Sequence, residues 1–93
     1  MTSETEAWAS WIGQTVVVDT GSPYVYVGTL AEVKEHFVTL KDVDAHDRTD
    51  GTATKEKYAM DAKRFGVKPN RKEVSVRKTQ IVSLSRLDDV ILY

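Results

Sequence analysis

Apolar residues in this chain alternate with polar ones far more often than they recur at helical spacing. Residues 24–43, YVYVGTLAEVKEHFVTLKDV, carry two predicted strands, 24–34 and 36–44, joined by a tight charged turn at 34–36. Val25, Val27, Val33, Val38, Leu40 and Val43 supply β-branched and aliphatic bulk, and Tyr24, Tyr26 and Phe37 supply aromatic bulk. Gly28 interrupts the first of these strands. A strand glycine costs stability, so it marks a sharp bend or a close backbone approach. A long strand bent in this way lets a small barrel curl its sheet round on itself. Shorter strands are predicted at 15–19, 72–77 and 81–85, the last two separated by Lys78-Thr79-Gln80. Thr20-Gly21-Ser22-Pro23 is dense in turn formers.

Two stretches follow helical spacing instead. Ser3-Glu4-Thr5-Glu6 has the form of a capping box. Ala7, Trp8, Trp11 and Ile12 then share one stripe, and Gly13 closes a helix over 4–12. Its two indoles are expected to cover the open end of a barrel. Tyr58, Ala62 and Phe65 make the apolar stripe of a second helix over 53–65, with Glu56 in its first turn and Lys63 and Arg64 in its last. Gly66, Val67 and Pro69 end it. Ser85-Arg86-Leu87-Asp88 is expected to cap a closing turn, and the apolar tail at 90–93 needs a cover. The pattern is mostly β: one domain over 1–93, a five-stranded, strongly bent, open barrel. One helix leads it and a second is inserted between strands 3 and 4. A sandwich needs about seven strands.

Composition narrows the function more than the fold. The 93 residues include no cysteine, which excludes disulfides and thiolate metal sites and fits a reducing, cytoplasmic setting. No apolar run spans a membrane or resembles a signal peptide. The net charge is −1, yet residues 48–78 hold ten basic against four acidic side chains, a local balance of +6. The remainder holds three against ten, or −7. Such asymmetry permits an anionic partner at one face. Asp42, Asp44 and His46 fall on one side of an extended chain, but with no further such residue in view on a neighbouring element they read as an acidic strand end, and no metal or other cofactor is expected. With no nucleophile motif and only His36 and His46 as histidines, the chain does not read as an enzyme.

This order of elements resembles the Sm-like family (LSm and Hfq-type proteins). Gly28, Leu30, the turn at 34–36 and Phe37-Val38-Thr39-Leu40 look like its first motif. Residues 74–84, VSVRKTQIVSL, look like its second, with Arg77 at the family's arginine and Lys78 where the family has glycine. The resemblance implies a homo-oligomeric ring, the fourth strand of one copy pairing with the fifth of the next. It also implies a lumen for single-stranded RNA, in which His36 or Phe37 would stack on a base and Arg77 would cover its other face, with Lys78 beside them. The family's base-reading asparagine falls near Val38 or Thr39, so contact that does not discriminate bases is expected. Arg64, Lys68, Arg71 and Lys72 would add a basic periphery for phosphates. The competing expectation is a protein-interaction module of SH3-like barrel type that uses the inserted helix and binds no nucleic acid.

Overall fold

The computed structural model describes residues 4–47, 49 and 54–92. Helix α1 (Glu4–Ala9) is followed by β1 (Thr15–Thr20), β2 (Tyr24–Val33), β3 (Phe37–Asp47), α2 (Lys55–Phe65), β4 (Arg71–Arg77) and β5 (Ile81–Arg86). Lys78–Gln80 and Leu87–Asp89 are single 3-10 turns. The strands form one antiparallel sheet in the order β4-β3-β2-β1-β5. The first and last strands in that order do not pair with each other, so the barrel is open.

The bend sits where the sequence puts Gly28. Val27 pairs with Asp44 and Thr29 with Lys41, so Gly28 alone faces Asp42 and Val43. One residue against two is a β-bulge, which kinks and twists the pair. Asp42 takes a φ of +52°, the only positive φ of a non-glycine residue among those described. Its short polar side chain tolerates that conformation. A Cβ on Gly28 would lie 3.0 Å from the Lys41 carbonyl oxygen and 3.1 Å from Val43 Cγ2. Close approach is therefore the reason for the glycine.

Curling the sheet divides the apolar residues into two clusters. Val16, Val18, Leu30, Val38, Leu40, Val43, Val76 and Leu84 fill the barrel, with Trp8 and Trp11 packed at its margin. Both indoles thus lie against the core as expected, although α1 stops at Ala9 and Trp11 follows in a turn. Gly13 at φ +93° lets that turn join the sheet, donating its N–H to Leu30 O at 2.8 Å. Ser3 of the expected capping box lies outside the described residues.

Val17, Val25 and Val27 point the other way and meet Ala59 and Ala62 of α2, flanked by Tyr58, Val67, Leu87 and Val90. Strand β1 is covered on both faces, which accounts for its unbroken Val16-Val17-Val18. Thr54 caps α2 by accepting from Lys57 N at 3.1 Å, and Gly66 N–H returns to Ala62 O at 2.9 Å. Lys55 then ties the helix down: its ammonium reaches Asp19 Oδ1 at 2.6 Å and the carbonyls of Thr20 and Ser22 at 2.9 Å each. Lys63 donates to the Asp88 and Val90 carbonyls and holds the C-terminal segment against α2. The final 3-10 turn starts after Arg86 without a side-chain cap, so the expected serine cap does not form. Val90 is covered, but Ile91 and Leu92 stay exposed; Tyr93 lies outside the described residues. Among the described residues no helix is long and apolar enough to cross a membrane.

Candidate nucleic-acid interface

Antiparallel pairing of β3 with β4 builds the site. Val38 opposes Val76 and Leu40 opposes Val74, all turned toward the barrel core. Period two then sends Phe37, Thr39, Ser75 and Arg77 to the other face. Phe37 is directly opposite Arg77, and Thr39 is opposite Ser75, their hydroxyls 3.3 Å apart. Directly opposed residues have Cβ atoms about 5 Å apart, so an aromatic and a guanidinium share one surface. The turn is closed by Lys34 N–H to Phe37 O at 2.8 Å. It is tied to the end of β4 by Lys78 N–H to His36 O at 2.9 Å.

His36, Phe37, Ser75 and Arg77 line a shallow cavity of about 450 Å³. Three of the residues singled out from sequence therefore converge. The fourth, Lys78, contributes its backbone, while its ammonium turns away to the Thr5 hydroxyl of α1. Lys78 does not adopt a positive φ, so the family's glycine position is occupied here without backbone strain. Arg77 meets no carboxylate among the described residues, whereas the exposed His36 lies 4.0 Å from Glu35. An aromatic face, the Arg77 guanidinium and the Ser75 hydroxyl can stack a base and contact a phosphate. Nothing in the cavity has the paired donor and acceptor of an asparagine.

The basic periphery lies elsewhere. Arg71 and Lys72 open β4, about 20 Å from Arg77 at the strand's far end. Asn70 fixes that end: its side-chain amide exchanges two 3.0 Å hydrogen bonds with the Ala45 backbone, and its own N–H reaches Val43 O at 2.9 Å. Arg71 donates to Asn70 O at 3.1 Å. Lys68 borders a separate concavity with Phe65, and Arg64 is exposed beside it. Phe65, expected in the buried stripe of α2, is 69% exposed.

Asp42, Asp44 and His46 lie within β3, which runs three residues beyond its expected end at 44. Among the described residues no group of three potential ligands gathers with metal-binding geometry. His46 stacks instead on Tyr58, with ring centroids 4.0 Å apart and 11° between planes. Burial first, and the neighbouring Asp44 carboxylate second, hold the Tyr58 phenol well above its ordinary range. Asp44 falls short of hydrogen-bond geometry, and no described residue pairs with the buried Tyr58 hydroxyl or His46 Nε2.

Sequence reasoning missed Ser75, Asn70 and Lys55. Ser75 was recoverable, since it alternates outward two residues before Arg77. Asn70 and Lys55 carry no local signal, because their partners lie 25 and 33 to 36 residues away.

No protein-family model and no curated protein matches the chain. Solved structures do match it. A Pyrococcus abyssii Sm protein in complex with a uridine heptamer aligns with a TM-score of 0.62 at 14% identity, over 91% of this chain and 99% of that one. A chain of the NatC complex bound to Gag peptide and CoA gives 0.56 at 18% identity, over 83% and 86%. The LSM domain of Dm EDC3 (Enhancer of DECAPPING 3) gives 0.52 at 18% identity, over 82% of this chain and 58% of that one. The fold is Sm-like, in a divergent form.

Proposed function

We propose that copies of this chain close into a ring through β4 and β5 and bind single-stranded RNA, without strong base preference, at the cavity between Phe37 and Arg77. The observation that carries this reading is the exposed aromatic–guanidinium pair beside the unpaired edge of β4. Bare strand edges are normally paired or shielded. A head-to-tail contact that closes by rotation would satisfy both edges and repeat the cavity around one axis. A base would then stack on Phe37 or His36, with Arg77 over its other face or on its phosphate, contributing about 1–3 kcal/mol per base. The Sm protein that aligns with this chain was solved with a uridine heptamer, which supports the same ligand class here.

Native mass spectrometry, paired with filter binding to oligouridine and oligoadenosine at low and moderate salt, tests the proposal. A ring mass is expected, with similar affinity for both oligonucleotides, and Arg77→Ala should weaken both about tenfold. A monomer mass with no binding at low salt refutes it. The protein-interaction reading has its own support in the exposed Phe65 and in the similarity to a NatC chain. It gains if the purified ring ignores RNA and Phe65→Ala abolishes capture of a protein partner.

A further inference from the structure

We infer that the C-terminal end of α2 is a second contact for single-stranded RNA, in which Phe65 stacks on a base bearing an exocyclic amino group. The inference extends the RNA-binding reading to a separate surface. Phe65 continues the stripe of Tyr58 and Ala62, yet those two pack onto the barrel and Phe65 is left 69% exposed. Its neighbours Arg64 and Lys68 are exposed and meet no carboxylate among the described residues. Most other cations near α2 are already engaged: Lys55 by Asp19, Lys57 by Asp61 at 2.9 Å, and Lys63 by backbone carbonyls.

An aromatic face flanked by free positive charge matches a stacked base with phosphates on either side. Phe65 and Lys68 border a concavity of about 230 Å³ whose other polar walls are Asp44, Asp61 and Tyr58. Asp61 is held by Lys57. Asp44 therefore remains as an acceptor, which suits the exocyclic amino group of cytosine or adenine, whereas uracil has only its ring N3–H to donate. Acidic walls in a basic surround place the bases inward and the phosphates at the rim. From Phe65 the chain passes through Gly66 and Pro69 into the start of β4, the end remote from Arg77. An oligonucleotide that fills only the Phe37–Arg77 cavity would not reach it.

Fluorescence anisotropy with a uridine heptamer, and with oligouridine, oligocytidine and oligoadenosine three times as long, separates the two sites. Phe65→Ala is expected to weaken the long cytidine and adenosine probes about tenfold and to leave the heptamer unchanged. Arg64→Ala with Lys68→Ala should lower the salt slope for long probes by about 1.4. Asp44→Asn should remove the advantage of amino-bearing bases over uracil. If Phe65→Ala, folded by circular dichroism, binds every probe as the parent does, the inference is overturned. The same holds if it weakens the heptamer equally, or if it releases a protein partner while RNA binding is unchanged. If the parent ignores the heptamer but loses long-probe affinity on Phe65→Ala, the ring-lumen reading fails and this one stands.

Discussion

Replacing Gly28 with alanine tests the bend on which the fold turns. The added methyl would gain at most about 0.8 kcal/mol from burial, and restricting the unfolded chain would add about 0.4–1 kcal/mol. Against this, the new Cβ would meet the Lys41 carbonyl oxygen at 3.0 Å, Val43 Cγ2 at 3.1 Å and Val43 Cα at 3.2 Å. Two of those three atoms are backbone and cannot rotate aside. Strand β3 would have to shift at the bulge while still paired to β4 at Lys41–Glu73 and Val43–Arg71. Overpacking costs about 1–3 kcal/mol, and contact with two rigid backbone atoms puts this site at the upper end, so a net loss of about 1 kcal/mol is expected. In a chain of this size that lowers Tm by about 4–8 °C. Valine adds two further carbons to the same contact, and its loss should reach about 3 kcal/mol. Urea unfolding followed by the fluorescence of Trp8 and Trp11 should show a lower midpoint with an unchanged slope. In a double-mutant cycle Gly28→Ala should cost less in the Val43→Ala background than in the parent, yet still cost something, because the Lys41 carbonyl stays in place. An alanine variant with a raised midpoint would refute the close-approach argument.

Two further perturbations probe the inserted helix. Tyr58→Phe should change stability by less than about 0.5 kcal/mol at neutral pH, since the buried hydroxyl has no partner among the described residues; a loss above about 1 kcal/mol would reveal a hydrogen bond. The raised pKa fixes a sign: the folded state holds the phenolic proton more tightly, so the stability it contributes is present below the ordinary value of 10.0 and falls as pH rises above it. Denaturation midpoints between neutral pH and pH about 11 should therefore drop more steeply for the parent than for Tyr58→Phe. Lys55→Met removes three hydrogen bonds from a side chain 23% exposed, and should cost about 1–2 kcal/mol after allowing for solvent screening of Asp19. Hydrogen exchange should accelerate in α2 with β2 and β3 still protected, and uniform protection would show that Lys55 does not anchor the helix.

The strands were readable because each buried face follows period two, and Gly28 announced the bend because only a missing Cβ fits there. The closing signals of α2 lay within one turn of its end. What sequence could not supply was distance. Nothing in the stripe Tyr58, Ala62, Phe65 says that the sheet covers the first two and stops short of the third. The same holds for the candidate site. Phe37 and Arg77 were picked out separately by family resemblance, but their direct opposition follows from strand register. Lys78 was placed with them because sequence shows adjacency, whereas its side chain follows α1 and Thr5. The acidic strand end was legible as extended chain, but not its reach to Asp47, since the stacking of His46 on Tyr58 is a contact between elements twelve residues apart.

Charge at the two open edges bears on which assembly the fold can form. Strand β4 exposes Arg71, Lys72, Glu73 and Arg77, a basic edge apart from one glutamate. Strand β5 presents Val82 and Ser83 and is followed by Asp88 and Asp89, the latter paired to Arg86 at 2.9 Å. Two β4 edges brought together would set like charges side by side, which cross-strand pairing disfavours. Two β5 segments would juxtapose their aspartates in the same way. Pairing β4 with β5 brings the mainly basic edge toward the aspartates that follow β5. A contact between unlike edges cannot terminate in a two-fold dimer; it propagates until rotation closes it. Exposed charges are screened by salt, so the edges' electrostatic preference would weaken as ionic strength rises while their backbone hydrogen bonds remain. Subunit exchange in the proposed ring, measured by native mass spectrometry, should then quicken with salt without its disassembly, and a symmetric dimer at low salt would contradict the charge argument.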